Sequence, residues 1–383
     1  MASRWPPRVL LQDPSNRSTS ACVRYSGQHL RYENLPIKQI ASIAAASSTA
    51  SALSVARPLP LLFLRRNQVI ALEFALRTLD RSSVELPETR GTKLATFLQL
   101  TLNGLAVGCI YGLVALGFVL IYKATELVNF AQGDFLMLGA FVAYMAIVWW
   151  GLDYWISFLI AALAVAAFGA LLDMTVLRRV IGQPQFAVVM LTIGLGAMFR
   201  TFASVTWGSE IYTLPTPFSG VTQVAGVTLS HQYLSIIVAT VILCGVLYAF
   251  FRYTRMGVAM QATSQNQLAA YCMGIPVKLI FSLVWAISAA VATAAGILLA
   301  PVTLIDINMG LAVALKAFAA AVVGGFGSIP GALIGGITIG LIELYAGATL
   351  PEGIKNTAPY IVLLVMLAVR PQGLFGAPGR KRV

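Results

Sequence analysis

Residues 310–343, GLAVALKAFAAAVVGGFGSIPGALIGGITIGLIE, are apolar almost without interruption. One continuous helix of that length would run about 50 Å at about 1.5 Å per residue, which overshoots a hydrocarbon core of about 30 Å. Gly324, Gly325, Gly327, Pro330 and Gly331 punctuate its middle. The stretch is therefore expected to form two membrane elements, about 311–324 and 330–348, joined by a tight turn. Gly327, Gly331 and Gly335 recur every four residues, as do Gly336 and Gly340. That spacing stacks small residues on one helix face, where a second helix can come close. Lys316 and Glu343 are costly in lipid, so each should face protein, water or the other. Two readings stand. The two residues line or brace a solute path, or they form an ion pair locking two helices, with a snorkelling lysine as a variant of the second.

The rest of the chain supports a membrane setting. It is 58% hydrophobic and 10% charged, whereas soluble domains carry about 25% charged residues. Residues 1–93 hold 13 of the 26 Lys and Arg and 6 of the 14 Asp and Glu. Much of the net charge of +12 thus sits in the amino-terminal segment and gives no reason to expect nucleic acid. The four cysteines (Cys22, Cys109, Cys244 and Cys272) form no close pair, and His29 and His231 stand apart. Neither a disulfide framework nor a metal site is expected. No GxxxxGK[ST] phosphate loop occurs, so ATP hydrolysis by that means is not expected of this chain. No apolar run carries the clustered His, Asp or Ser that hydrolysis needs, and no catalytic residue is assigned.

Residues 1–95 are rich in Arg, Ser and Ala, with a low-complexity run at 41–56. The stretch 59–79 fits an amphipathic helix but is too charged to span. The segment is expected to be a dispensable extension from an over-extended gene start, with Val84, Leu86 or Leu94 as a non-AUG start. A disordered tail and a targeting or membrane-surface segment are the other readings.

The first span is expected at about 97–121, with Gly104, Gly108 and Gly112 forming a packing face. Polar residues follow where the second span begins, within VNFAQGDFLMLGA. Asn129, Gln132 and Asp134 either cap that helix or supply hydrogen-bonding groups to a pathway. Further spans are expected at about 155–177, 186–206, 233–251, 279–300 and 357–369. Residues 207–232 read as a polar loop, either a connector or a receiving surface for an outer partner.

Residues 252–278, RYTRMGVAMQATSQNQLAAYCMGIPVK, are too polar to span. One helix from about 258 to 273 is expected, stopped by Gly274 and Pro276. Arg178, Arg179, Arg252, Arg255, Arg370 and the terminal Arg380-Lys381-Arg382 all fall inside the cell if the first span starts outside.

Four segments together resemble the permeases of branched-chain amino-acid ABC importers. They are VNFAQGDFLMLGA, the RMGxAMxA…AAxxxGI pattern of 255–275, LKAFAAAVVGGFGSIPGALIGG, and RPQGLFG at 370–376. The resemblance covers about 97–376. It implies an all-α polytopic fold of about eight to nine transmembrane elements, including the Gly/Pro-broken pair. The domain plan is a disordered extension at 1–95, a permease domain at 96–376 and a basic tail at 377–383.

The resemblance also implies a coupling loop carrying Arg255, Gly257, Gln261, Asn266, Ala270 and Gly274, gripped by separate ATPase subunits. Val258 and Gln261 stand where the family often has basic residues, and Ser264 and Gln265 where it often has acidic ones, which implies a less charged docking cleft. The implied partners are a second related permease chain, two ABC ATPases, a periplasmic or lipid-anchored substrate-binding protein and membrane lipid, with this chain a multi-pass protein of the cell inner membrane. ATP would be used by the partners, with no cofactor bound here. The resemblance also allows urea, short amides or other amino acids as the substrate. The broken helix pair and intramembrane charges also suit an ion-coupled secondary transporter, which would not need the polar loop.

Overall fold

The computed structural model describes residues 23–25, 28–30 and 90–376, apart from 181, 225 and 226. In the amino-terminal unit, β1 (Val23–Tyr25) and β2 (Gln28–Leu30) pair antiparallel, with Val23 opposite Leu30. Residues 1–22, 26–27 and 31–89 of the expected disordered extension, the stretch 59–79 among them, and the basic tail 377–383 lie outside the described residues, whereas 90–95 open a helix.

The second unit is helical. Its elements are α1 (Arg90–Thr125), α2 (Gln132–Val148), α3 (Tyr154–Thr175), α4 (Gln185–Trp207) and α5 (His231–Tyr253). There follow α6 (Arg255–Gln265), α7 (Gln267–Cys272), α8 (Val277–Thr303), α9 (Met309–Gly324), α10 (Ile329–Thr349) and α11 (Glu352–Val369). Among the described residues, six helices are long and apolar enough to cross a membrane: α1, α3, α4, α5, α8 and α10. Three shorter apolar helices, α2, α9 and the α11 stretch Ile354–Val369, accompany them. This is an all-α, multi-pass membrane protein.

The centre of the bundle is α1. It is apolar on every side, as a fully surrounded helix must be, and Leu113, Val114, Phe118 and Ile121 are wholly buried. α8 packs beside it, with Ile280, Ala292 and Ile297 at zero exposure. By contrast α3, α4 and α5 bury one stripe and turn Leu159, Val205 and Val241 outward. Outward apolar residues are stable there only in lipid or against a partner.

Helices α1 and α10 pack backbone against backbone. A Cβ on Gly108 would lie 2.7 Å from Ile337 Cα, and one on Gly336 only 2.2 Å from the Gly112 nitrogen. A Cβ on Gly340 would sit 2.4 Å from Gly108 Cα, and one on Gly104 3.1 Å from the Leu341 side chain. Without side chains the two backbones touch over about three turns, so dispersion replaces the hydrophobic drive that lipid cannot supply. Gly331 and Gly335 serve the other contact of α10, where added Cβ atoms would lie 2.5 Å from Gly324 O and 2.2 Å from Ala320 O of α9. Gly327 does not belong to that face. It lies in the turn before α10 begins at Ile329, with nothing within 4 Å of a Cβ built on it.

The break between α9 and α10 falls where the glycines and proline put it. Gly325 has φ +99°, and Ser328 caps α10 by accepting from the Gly331 N–H at 3.1 Å. The 370–376 segment folds back on this turn: Leu374 N–H donates to Val323 O at 2.8 Å and Phe375 N–H to Gly324 O at 3.1 Å.

Two loop expectations change. The connection between α4 and α5 holds an antiparallel hairpin, β3 (Val221–Val224) with β4 (Val227–Ser230), and Tyr212 bridges to Ile305. Short strands pinned by tertiary contact leave little period-two signal. The single helix expected at 258–273 is two helices, because Asn266 is extended and its side chain caps α7 by accepting from the Ala269 N–H at 3.0 Å. The first helix starts at Arg90 rather than 97, and the last at Glu352 rather than 357.

Candidate translocation site and coupling loop

α2 starts inside the bundle and not at its end. Gln132, its first residue, has Nε2 3.2 Å from Ser288 O, and Ser288 Oγ donates to Gly117 O at 3.0 Å. Ser288 lies eleven residues into α8 and Gly117 eight before the end of α1, so these contacts sit about 12–16 Å from the bundle's end. Residues 127–130 therefore climb into the bundle without helical hydrogen bonding, and Glu126, at φ +58°, turns the chain back to make that possible. Irregular backbone at such depth is tolerated only when protein or water satisfies it.

Protein does so here. Asn129 Oδ1 accepts from the Ala131 N–H at 3.0 Å, and the Phe130 N–H donates to Thr192 Oγ1 of α4 at 3.2 Å. Gln132 Oε1 accepts from Ser288 Oγ at 2.9 Å and from Asn129 Nδ2 at 3.4 Å. The N-cap of α2 is Ala131, with no side-chain cap bond. The capping role expected of Asn129, Gln132 and Asp134 is thus replaced by a buried network that ties α1, α2, α4 and α8 together.

Asp134 is buried and pairs with Arg200 of α4, whose Nη1 donates to Asp134 Oδ1 at 2.8 Å. Arg200 is fifteen residues into α4, about 22 Å from its start. Gly196 makes room: a Cβ there would meet Asp134 Oδ2 at 2.2 Å. The Arg200 side chain keeps 21% exposure and Asp134 3%, so the charge that reaches the bundle's surface is cationic.

Lys316 and Glu343 come together at 2.7 Å, joining α9 to α10. The Tyr111 hydroxyl of α1 donates to the other carboxylate oxygen at 2.8 Å, and the Lys316 ammonium lies 5.8 Å from the Tyr111 ring centroid. Both carboxylate oxygens are engaged. A third pair, Asp173 with Arg178 at 3.3 Å, is joined by Ser282 Oγ at 2.6 Å from the carboxylate and braces α3 against α8.

The polar loop is anchored from below and exposed above. The Gln267 side chain donates to Ala124 O at the end of α1 at 3.0 Å, and Gln261 Nε2 to Phe251 O at 3.1 Å. Thr254 caps α6 through the Gly257 N–H at 3.0 Å. Gly257 and Ala270 are buried; a Cβ on Gly257 would lie 2.3 Å from Phe250 O. Arg255, Gln261, Asn266 and Gly274 are exposed, the last at φ +83°. Four large apolar residues share that exposure: Val258, Leu268, Tyr271 and Met273. Arg200, Ser288, Thr192, Tyr111 and these apolar residues were not singled out as site residues by sequence reasoning. Only Arg200, a lone charge in an apolar run, carried a signal that could have flagged it.

Residues 100–369 match the protein family described as branched-chain amino acid transport system, permease component. The chain is 32% identical over 303 residues to the high-affinity branched-chain amino acid transport system permease protein LivH of Escherichia coli K12, covering 75% of this chain and 98% of that protein. It is 30% identical over 301 residues to BraD of Pseudomonas aeruginosa, again 75% and 98%. A probable LivH of Methanocaldococcus jannaschii is 29% identical over 286 residues, 70% of this chain and 89% of that one. The chain belongs to the family of branched-chain amino acid transport system permease components.

Proposed function

We propose that this chain is the membrane permease subunit of an ABC importer for branched-chain amino acids, working by alternating access. Separate ATPase subunits supply the energy, a second related permease chain completes the pore, and a substrate-binding protein delivers the amino acid from outside. The nine apolar elements cross or enter the plasma membrane, with the α5–α8 loop in the cytoplasm.

The observation that carries this reading is the loop itself. Val258, Leu268, Tyr271 and Met273 are exposed within sixteen residues of a polar loop, and large apolar residues gathered outside a membrane mark a protein contact. The loop is bonded to the end of α1 through Gln267. A push on it reaches the central helix directly. The Asp134–Arg200 pair is the pathway candidate, because Arg200 keeps 21% side-chain exposure against 14% for Lys316, while Asp134 has one oxygen on Arg200. Asn129 and Gln132 hold the helices that would frame the path, and Lys316 with Glu343 braces the α9–α10 hairpin. A carboxylate with both oxygens engaged suits a brace better than an ion-coupling site.

Radiolabelled leucine uptake tests it, in cells lacking their own system and expressing this chain with its companion permease, ATPases and binding protein. Uptake should vanish with an ATPase-dead partner. Uptake that survives that change but collapses with an uncoupler means a secondary carrier. Assembly without leucine uptake moves the substrate to urea or a short amide.

A further inference from the structure

α5 and α10 flank α1 and leave a groove of about 630 Å³ floored by α1. Its lining changes character with depth. Lys123, Gln261 and Ser328 stand at the mouth, and Leu116, Leu247 and Leu333 deeper in. Leu116 lies seven residues before Lys123 on α1, about 10 Å further into the bundle; Leu333 is five residues past Ser328 on α10, about 7 Å. Leu247, six residues before the end of α5, is about 9 Å in. Three separate helices, α1, α5 and α10, thus put leucines at the deeper level, below polar groups from α1, α6 and the turn before α10 that share the mouth with Phe251 and Ile329.

Lys123 is half-buried and has no hydrogen-bond or ion-pair partner among the described residues. Arg252 and Arg255 are exposed at the same end, and the nearby acid, Glu126, is exposed beyond the end of α1. An unpaired cation above an apolar slot is the complement of a phosphate ester carrying an acyl chain. The outer wall on α5 exposes Tyr248, as a wall facing lipid does.

We propose that this groove is a binding site for an anionic phospholipid of the cytoplasmic leaflet, with its phosphate at Lys123 and one acyl chain along Leu116, Leu247 and Leu333. The site takes its leaflet from the orientation proposed above. The lipid fills the slot between α5 and α10 beside the end of α1 that carries the loop.

The test uses the full-length chain assembled with its partner subunits, in detergent with equal phosphatidylglycerol and phosphatidylcholine. Native mass spectrometry reads the lipid retained after delipidation. Phosphatidylglycerol should be retained about fivefold over phosphatidylcholine. Lys123→Gln should bring the two near parity, and Lys123→Arg should keep the preference. Leu333→Trp, which fills the slot and leaves the lysine, should lower retention of both lipids; it carries the test should Lys123→Gln not assemble. A preference unchanged in Lys123→Gln, or retention of both lipids undiminished in Leu333→Trp, overturns the proposal. So does retention that appears only when the second permease is absent, which would mean a partner helix occupies the slot. These readouts do not depend on leucine uptake, so a wrong transport substrate leaves them intact.

Discussion

Lys316 Nζ lies 2.7 Å from Glu343 Oε1 across the α9–α10 hairpin, with Tyr111 donating to the second carboxylate oxygen. Removing one partner strands a charge at membrane depth and costs about 3–5 kcal/mol. Lys316→Met or Glu343→Gln alone should sharply lower the yield and melting temperature of the assembled transporter. The double variant should recover most of the loss. Thermal denaturation followed by size-exclusion chromatography reads this out, and singles as stable as wild type would mean the pair is no brace.

The glycines of α10 should separate by contact and not by spacing. Gly336→Ala forces a methyl to within 2.2 Å of the Gly112 backbone and should cost about 1–3 kcal/mol as overpacking. Gly327→Ala meets nothing within 4 Å and should stay within about 0.5 kcal/mol of wild type. The same denaturation assay compares the two.

Arg200 and Asp134 should behave as one unit. Arg200→Gln leaves a buried carboxylate unpaired, and Gly196→Ala, whose methyl would meet Asp134 Oδ2 at 2.2 Å, displaces the same carboxylate. Both should cut the initial rate of uptake by about tenfold or more, the scale of losing a buried charged hydrogen bond of about 1.5–3 kcal/mol. Surface expression should be measured in parallel, and normal uptake by both variants would remove the pair from the pathway.

Exposed loop residues should matter to the partner and not to the fold. Tyr271→Asp and Met273→Asp, at 68% and 84% exposure, should leave membrane insertion unchanged. Each should reduce ATPase subunits recovered by affinity capture of this chain, and undiminished capture would place the grip elsewhere.

The apolar runs made the spans readable, since about 20 such residues can do little else in a bilayer. Gly324 to Gly331 made the break readable as well. Partners far apart in the chain were not legible. Gln132 meets Ser288 across 156 residues and Asp134 meets Arg200 across 66, and no local period encodes such pairs. The depth of the α2 start was hidden for the same reason: polar residues at 126–134 mark a boundary without saying how far inside the bundle it lies. Lys316 and Glu343 were visible as charges, but only the fold of the hairpin brings them together at 2.7 Å.

The segment 370–376 clasps the turn at 324–327 from the far side of α11. Gly373, at φ +77°, is packed so that an added Cβ would sit 2.6 Å from Gly325 Cα. The two glycines are 48 residues apart in the chain. At about 5–20 residues per second, the ribosome needs about 2–10 s to make the intervening stretch. During synthesis the hairpin therefore waits seconds for its clasp, and a message truncated before codon 370 would release a protein with all the described apolar helices and an unfastened turn.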